Sequence, residues 1–248
     1  MSQMTAEIPF AQIETVFFDV GNTLLSIDFD WISEELTERG LAASSQAIRR
    51  AEASARPLVS AGIANRNDKE TQETFTFYFG LVLQQLEPAR ELGEEGCAAL
   101  ARELTPVLRG PGKTERLWSW LIPGVPDALR AMADAGLQLA VVSNSDGSVE
   151  SSLVGSGLRE HFQAVMDSHV VGHEKPDPRI FETALSVCGA DPARTLHVGD
   201  LYDADVVGAR AAGLHPVLLD PFDDWGDVDC VTLPDITVLK ERLLGSRR

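Results

Sequence analysis

Cysteine is scarce. Cys97, Cys188 and Cys230 lie far apart in 248 residues, an odd number without a CxxC pair, which excludes a disulfide framework and points to reduced, buried thiols. Positive charge is also short: 21 Lys and Arg face 38 Asp and Glu, a formal net charge of −17. A field of that sign argues against general binding of nucleic acid or of an anionic membrane, both of which want a basic footprint. It works against an anionic substrate as well, so a phosphate site would need its own local cations. No apolar run reaches membrane-spanning length. The opening MSQMTAEIPFAQIE lacks the charged and apolar regions of a signal peptide, and the expectation is a soluble, cytoplasmic protein. Internal repeats and low-complexity linkers are missing too.

What is there is ordinary globular composition, 44% hydrophobic and 24% charged, in a length that suits one large domain or a domain with a sizeable insertion. Val16 to Val20 (VFFDV) reads as a buried strand ending at Asp19-Val20, bounded by Gly21-Asn22. From about Trp31 to Trp120 the apolar spacing turns helical, and the aromatic stretch Thr74 to Leu86 favours a buried helix. Strand and helix patterns then alternate. Val125, Leu129 and Met132 fall at helical spacing, with Pro126 in the first turn and Gly136 as the stop. Strands are expected at Leu137–Val142, Ala164–Met166, Thr195–Val198 and His215–Leu219, the last clear one. Helices are expected at Ser148–Val154, Pro178–Cys188 and Val206–Ala212. The pattern implies an α/β, doubly wound parallel sheet from residues 1–26 and 121–248, with a helical cap, 27–120, inserted after the first strand.

The chemistry-bearing residues stand just after strands. In open parallel sheets the carboxyl edge, where strand order reverses, is where ligands bind. Asp19, Thr23, Ser143, Asn144, Lys175, Asp200 and Asp205 therefore converge there. Three carboxylates in one place are costly unless one is protonated or cations intervene. Lys175 supplies one positive charge, and oxygen-only ligands make Mg²⁺ the ion that suits the remainder.

These residues form a recognisable series. Asp19-Val-Gly-Asn-Thr23-Leu, Ser143-Asn144, Lys175-Pro-Asp-Pro, and Gly199-Asp200 with Asp205 five residues on resemble the haloacid dehalogenase-like (HAD) hydrolase superfamily, in the right order from residue 16 to about 220. The resemblance implies that Asp19 is the nucleophile and takes up the phosphoryl group. It implies that Thr23 and Ser143 hydrogen-bond the phosphate, aided by backbone amides near Val20 to Asn22 and at Asn144, and that Lys175 neutralises both phosphate and Asp19. Asp19, the Gly21 carbonyl and Asp200 would hold Mg²⁺, with Asp205 orienting that shell. The substrate would be a small, phosphorylated metabolite, and the protein a monomer or homodimer.

One position departs from the pattern. Phosphatases of this superfamily usually carry a second Asp two residues after the nucleophile, which protonates the leaving oxygen and then activates water. Here that position is Gly21, and Asn22 cannot transfer a proton. Acid–base help is worth roughly 10²–10⁴ in rate, so the expectation is a weakened phosphatase, or one confined to leaving groups that need no proton. Dehalogenases of the superfamily also lack that Asp, because a halide leaves unprotonated, and they need no metal. A fold-sharing protein that binds a phosphorylated ligand or a partner without turnover is the third reading. His173 is the nearest histidine that could replace the acid, while His161, His169, His197 and His215 offer no metal-ligand spacing. Arg49, Arg50, Arg56 and Arg66 could grip an anion bidentately, although most arginines on a helical domain are solvated. Asp177 and Asp203 belong to turns or caps.

Overall fold

The computed structural model of the protein describes residues 8–64 and 72–247. Strand β1 (Thr15–Phe18) leads through β2 (Leu25–Ser26) into helices α1 (Phe29–Glu38), α2 (Ser45–Ala64), α3 (Gln72–Gln85), α4 (Gly93–Leu108) and α5 (Thr114–Leu117), and the chain returns by β3 (Trp120–Leu121). There follow α6 (Val125–Asp134), β4 (Gln138–Ser143), α7 (Val149–Gly155), β5 (Ala164–Asp167), α8 (Ser168–Val171), α9 (Pro178–Cys188), β6 (Thr195–Gly199), α10 (Gly208–Ala211), β7 (His215–Leu219), β8 (Val231–Leu233) and α11 (Ile236–Gly245). Two compact units result: Ser26–Trp120, and the described residues through Leu25 together with those from Leu121 on. Among the described residues no helix is long and apolar enough to cross a membrane.

The second unit is a six-stranded sheet in the order β5-β4-β1-β6-β7-β8, parallel throughout. Successive side chains of a strand point to opposite faces, and two adjacent phenylalanines show it. Phe18 packs with Leu129, Leu153 and Leu239 on one face, while Phe17 packs with Ile180, Phe181 and Ala184 on the other. Helices therefore cover both faces, as near-continuous apolar strands such as β1 require. Local signals place the helix ends. Asp177 caps α9 by accepting from the Arg179 N–H, and Gly189 ends it at φ 62°. The order of crossovers reverses about β1, so the loops after β1, β4 and β6 gather at one edge.

Three sequence expectations need correction. β1 stops at Phe18 rather than Asp19-Val20, because the chain turns so sharply that the N–H groups of Leu24 and Leu25 both return to the Val20 carbonyl, at 2.9 and 3.0 Å. The helix expected at Val206–Ala212 begins at Tyr202 with a π-helical turn, Tyr202–Val207, before α10. His215–Leu219 is followed by one more strand, β8, paired with β7, and by α11, whose N-cap Asp235 accepts from the Val238 N–H.

In the helical unit, Phe75, Tyr78 and Phe79 are buried, with the Phe75 and Phe79 rings stacked at 5.7 Å. Arg56, named as a possible anion grip, is buried and doubly bonded to Glu52, with its Nη2 2.7 Å from Oε2. The Arg49 guanidinium lies 5.1 Å from the Trp120 ring centroid, and Arg50 is exposed. Arg66 lies outside the described residues.

Candidate active site

Asp19 stands one residue past β1, yet its N–H still donates to the Val198 carbonyl at 2.9 Å. The β6 ladder thus fixes its backbone, and the side chain is buried. The tight turn behind it puts Asn22 in the left-handed region, φ 53°, a conformation Asn tolerates better than most residues. That turn uses up the Asn22 amide, which donates to the Leu25 carbonyl at 2.6 Å. It is therefore not available to a phosphate, contrary to the sequence expectation. Among the described residues, the N–H groups of Val20 and Gly21 carry no hydrogen bond. Thr23 is 1% exposed, and its Oγ1 is one of two buried side-chain atoms without a partner among the described residues. A buried hydroxyl left unsatisfied costs about 1–3 kcal/mol, a cost that a ligand oxygen would remove.

Ser143 ends β4 beside Asp167. The Asp167 carboxylate accepts from the His169 and Val149 N–H groups at 3.0 and 3.3 Å, which pins the loop between Ser143 and α7. Ser143 Oγ donates to Asp19 Oδ1 at 2.8 Å. Asn144 is turned away from Asp19. Its amide clasps the Lys175 main chain, accepting from the Lys175 N–H at 2.7 Å and donating to the Lys175 carbonyl at 2.9 Å. The Lys175–Pro176 peptide is cis, and the Lys175 side chain is 2% exposed. Its Nζ donates to Asp19 Oδ1 and to Asp205 Oδ1, both at 2.7 Å.

Asp205 sits in the π-helical turn. Its Oδ1 meets Lys175 and also His197 Nε2 at 2.9 Å, and its Oδ2 accepts from the Leu201 N–H at 2.9 Å. Both oxygens are committed. Asp200, 3% exposed, follows β6 at the same edge as Asp19. His173 is half-buried. His197 was invisible as a site residue. It lies mid-strand between Leu196 and Val198, and the only signal for it was one polar residue inside an otherwise apolar run.

The two carboxylates that share Lys175 titrate in opposite directions. Burial pushes Asp19 up, the Lys175 ammonium pulls it down, and the charge of Asp205 pushes it up again, leaving it above the usual carboxylate range. Burial also pushes Asp205 up, but Lys175 and the His197 hydrogen bond outweigh burial and hold it well below that range. Burial pulls Lys175 down and the two carboxylates more than restore it, so it stays charged. Three buried carboxylates against one ammonium leave the edge short of positive charge. Asp205 is fully committed, and Asp19 and Asp200 are the other two buried carboxylates at this edge. Among the described residues no group of three or more His, Cys, Asp or Glu side chains is arranged around a metal. Two carboxylates and a carbonyl suit a hard cation that keeps several waters, as Mg²⁺ does.

Gly199 is fixed by this packing, since a Cβ there would fall 2.1 Å from Asp205 Cγ. Gly199→Ala is expected to destabilise the protein by about 1–3 kcal/mol, as overpacking does, because Asp205 must move. Denaturant unfolding checks this, and an unchanged midpoint would contradict it.

Comparison with known proteins bears on the family. A family model described as haloacid dehalogenase-like hydrolase matches residues 13–213. The haloacid dehalogenase-like hydrolase domain-containing protein 3 of Bos taurus is 34% identical over 211 residues, 84% of this chain and 82% of that protein. A phosphoserine phosphatase of Thermus thermophilus is 42% identical over 102 residues, 40% of this chain and 41% of that one. Among solved structures, the HAD-hydrolase YfnB from Bacillus subtilis shares the fold with a TM-score of 0.65 at 20% identity, covering 93% of this chain and 98% of that one. A model match over most of the chain and a relative one-third identical along nearly all of it leave one assignment: the chain belongs to the haloacid dehalogenase-like hydrolases.

Proposed function

We propose that the protein is a Mg²⁺-dependent phosphatase that acts on a small phosphorylated metabolite through a covalent intermediate on Asp19. The observation that carries this reading is the environment of one carboxylate. Asp19 is buried and held by Ser143 and Lys175 through Oδ1, and Thr23, four residues on in the same loop, has a buried hydroxyl without a partner among the described residues. The Asp19 carboxylate attacks phosphorus, an aspartyl–phosphate bond forms, and the bond from phosphorus to the leaving oxygen breaks. Water then attacks phosphorus and the aspartyl oxygen leaves, which restores the carboxylate. Two anions must approach each other for this to happen, and fixed cations and donors make the approach tolerable. Lys175 supplies a buried ammonium, Thr23 and the amides of Val20 and Gly21 supply donors, and Ser143, whose one proton goes to Asp19, would reach the phosphate only by turning its hydroxyl. Asp19, the Gly21 carbonyl and Asp200 would hold Mg²⁺, with Asp205 fixing Lys175. When bound, the ion adds the positive charge that the three carboxylates lack. The helical unit, 27–120, would act as a cap that selects the substrate. The name of the Thermus thermophilus relative supports phosphate as the group transferred.

Gly21 sets the limit. With no acid at that position, good leaving groups such as acyl or aryl phosphates are the favoured substrates. The same residue keeps carbon–halogen hydrolysis as a second reading, because a halide leaves without a proton. The charge count stands against it, since a metal-free site would leave three buried carboxylates, Asp19, Asp200 and Asp205, against the one ammonium of Lys175.

The discriminating experiment sets turnover of acetyl phosphate with Mg²⁺ beside chloride release from a 2-chloro acid. Phosphate release that EDTA abolishes is the expected result, and chloride release indifferent to EDTA would overturn the reading. Gly21 does not lie in the left-handed region, so φ sets no bar to a side chain there. Gly21→Asp is expected to raise turnover of an alkyl phosphate about 10²–10⁴-fold, the range of acid–base assistance, and to change acetyl phosphate turnover far less. No gain on the alkyl ester would mean that more than the acid is missing.

A further inference from the structure

We propose that His197 is a positioning residue whose Nε2–H, donated to Asp205 Oδ1, fixes the oxygen that carries Lys175 and so keeps the ammonium on Asp19. The inference rests on the reading of Asp19 and Lys175 as the reacting pair.

His197 occupies a place where an apolar residue would do. It is fully buried in β6, paired with Phe17 in the ladder, and an edge-on contact to the Phe181 ring at 4.8 Å closes its other side. A polar ring here gives up its water. The loss is only half repaid, because Nδ1 is buried without a partner among the described residues. Nε2 is the nitrogen that does have one, Asp205 Oδ1 at 2.9 Å. A depressed, ionised carboxylate can only accept, so the proton must sit on Nε2. Burial pulls the ring below its ordinary pKa, and the bare Nδ1 agrees with a neutral ring. The structure therefore assigns one tautomer.

That proton acts on a shared atom. Asp205 Oδ1 accepts from His197 and Lys175 together, while Oδ2 is held by the Leu201 N–H. The carboxylate is tied at three points and packed against Gly199. Remove the His197 donor and Oδ1 keeps Lys175 alone. The carboxylate is then held only by Leu201 at Oδ2 and by Lys175 itself at Oδ1, and the ammonium, which donates to Asp19 as well, loses part of the support for the far end of its span. His197 makes no hydrogen bond to Asp19 among the described residues. It acts through Asp205 and Lys175 alone.

The test compares two substitutions in the full chain. His197→Leu fills the space without a donor, and His197→Gln can return an N–H near the position of Nε2. With acetyl phosphate, His197→Leu is expected to lower kcat about 10–100-fold, the scale for residues that orient a reacting group, with KM within about twofold of wild type. Its thermal midpoint should not fall, because an unsatisfied polar ring has been replaced by an apolar side chain. His197→Gln is expected to recover most of the lost kcat. A His197→Leu enzyme with wild-type kcat would overturn the inference, as would a loss that Gln does not repair. The second readout needs no substrate. ¹⁵N NMR of the histidine ring is expected to show the Nε2–H tautomer and a shift of that N–H in Asp205→Asn, and an Nδ1–H tautomer would overturn the inference. A wild-type protein that hydrolyses no phosphoryl compound would instead sink the phosphatase reading, while the ring spectrum would still decide the bond to Asp205.

Discussion

Asp19→Asn is expected to reduce turnover by about 10⁴-fold or more, the scale on which hydrolases lose activity when their nucleophile is removed. The substitution keeps the shape and retains an oxygen for Ser143 and Lys175 to meet, so the fold should survive. An amide cannot form the acyl phosphate, and the covalent step stops. Lys175 keeps Asp205 as its counter-ion at 2.7 Å, so no buried charge is left alone. Single-turnover assays with a phosphoryl substrate and with a 2-chloro acid measure the loss in both enzyme readings. Retained turnover would remove Asp19 from the chemistry altogether.

Lys175→Met is expected to cost at least about 10²–10³ in kcat, the loss that follows removal of one fixed donor from a transition state. It should also cost about 3–5 kcal/mol of stability, as removing one partner of a buried ion pair does. Its pH signature distinguishes it from simple loss of packing. With the ammonium gone, both carboxylates are buried near each other without their shared cation, and burial raises them above their unfolded values. The folded state then binds more protons than the unfolded one between those values, so stability rises as pH falls from neutral toward about 5. Urea unfolding at pH 7 and at pH 5 reads this directly. A variant less stable at pH 5 than at pH 7 would contradict the charge balance described here.

The strand-end motifs were legible because each is local. An apolar run that ends in a polar residue, with a glycine or an asparagine close by, marks where a buried strand leaves the sheet, and Asp19, Ser143-Asn144 and Gly199-Asp200 all carry that signal. Lys175 was different. Nothing around it separates it from a solvated loop lysine, and only its place in the ordered series of motifs marked it out. Its burial is a tertiary fact, made by Asn144 thirty-one residues away. The π-helical turn that aims Asp205 left no trace in the sequence, because its geometry follows from packing against Gly199. β8 escaped because it is three residues long at a sheet edge, too short for a periodicity. His197 escaped because its partner lies eight residues on, in a segment read as a plain helix.

Asp19 also shows what an asymmetric surrounding does to a symmetric group. Ser143 and Lys175 both grip Oδ1, and Oδ2 has no hydrogen bond among the described residues. Resonance makes the two oxygens equal in free solution, but the protein has given them separate duties. Rotation of the carboxylate would exchange them only by breaking two bonds at once. In the proposed reaction Oδ2 would therefore be the oxygen left to meet phosphorus, the same one each time.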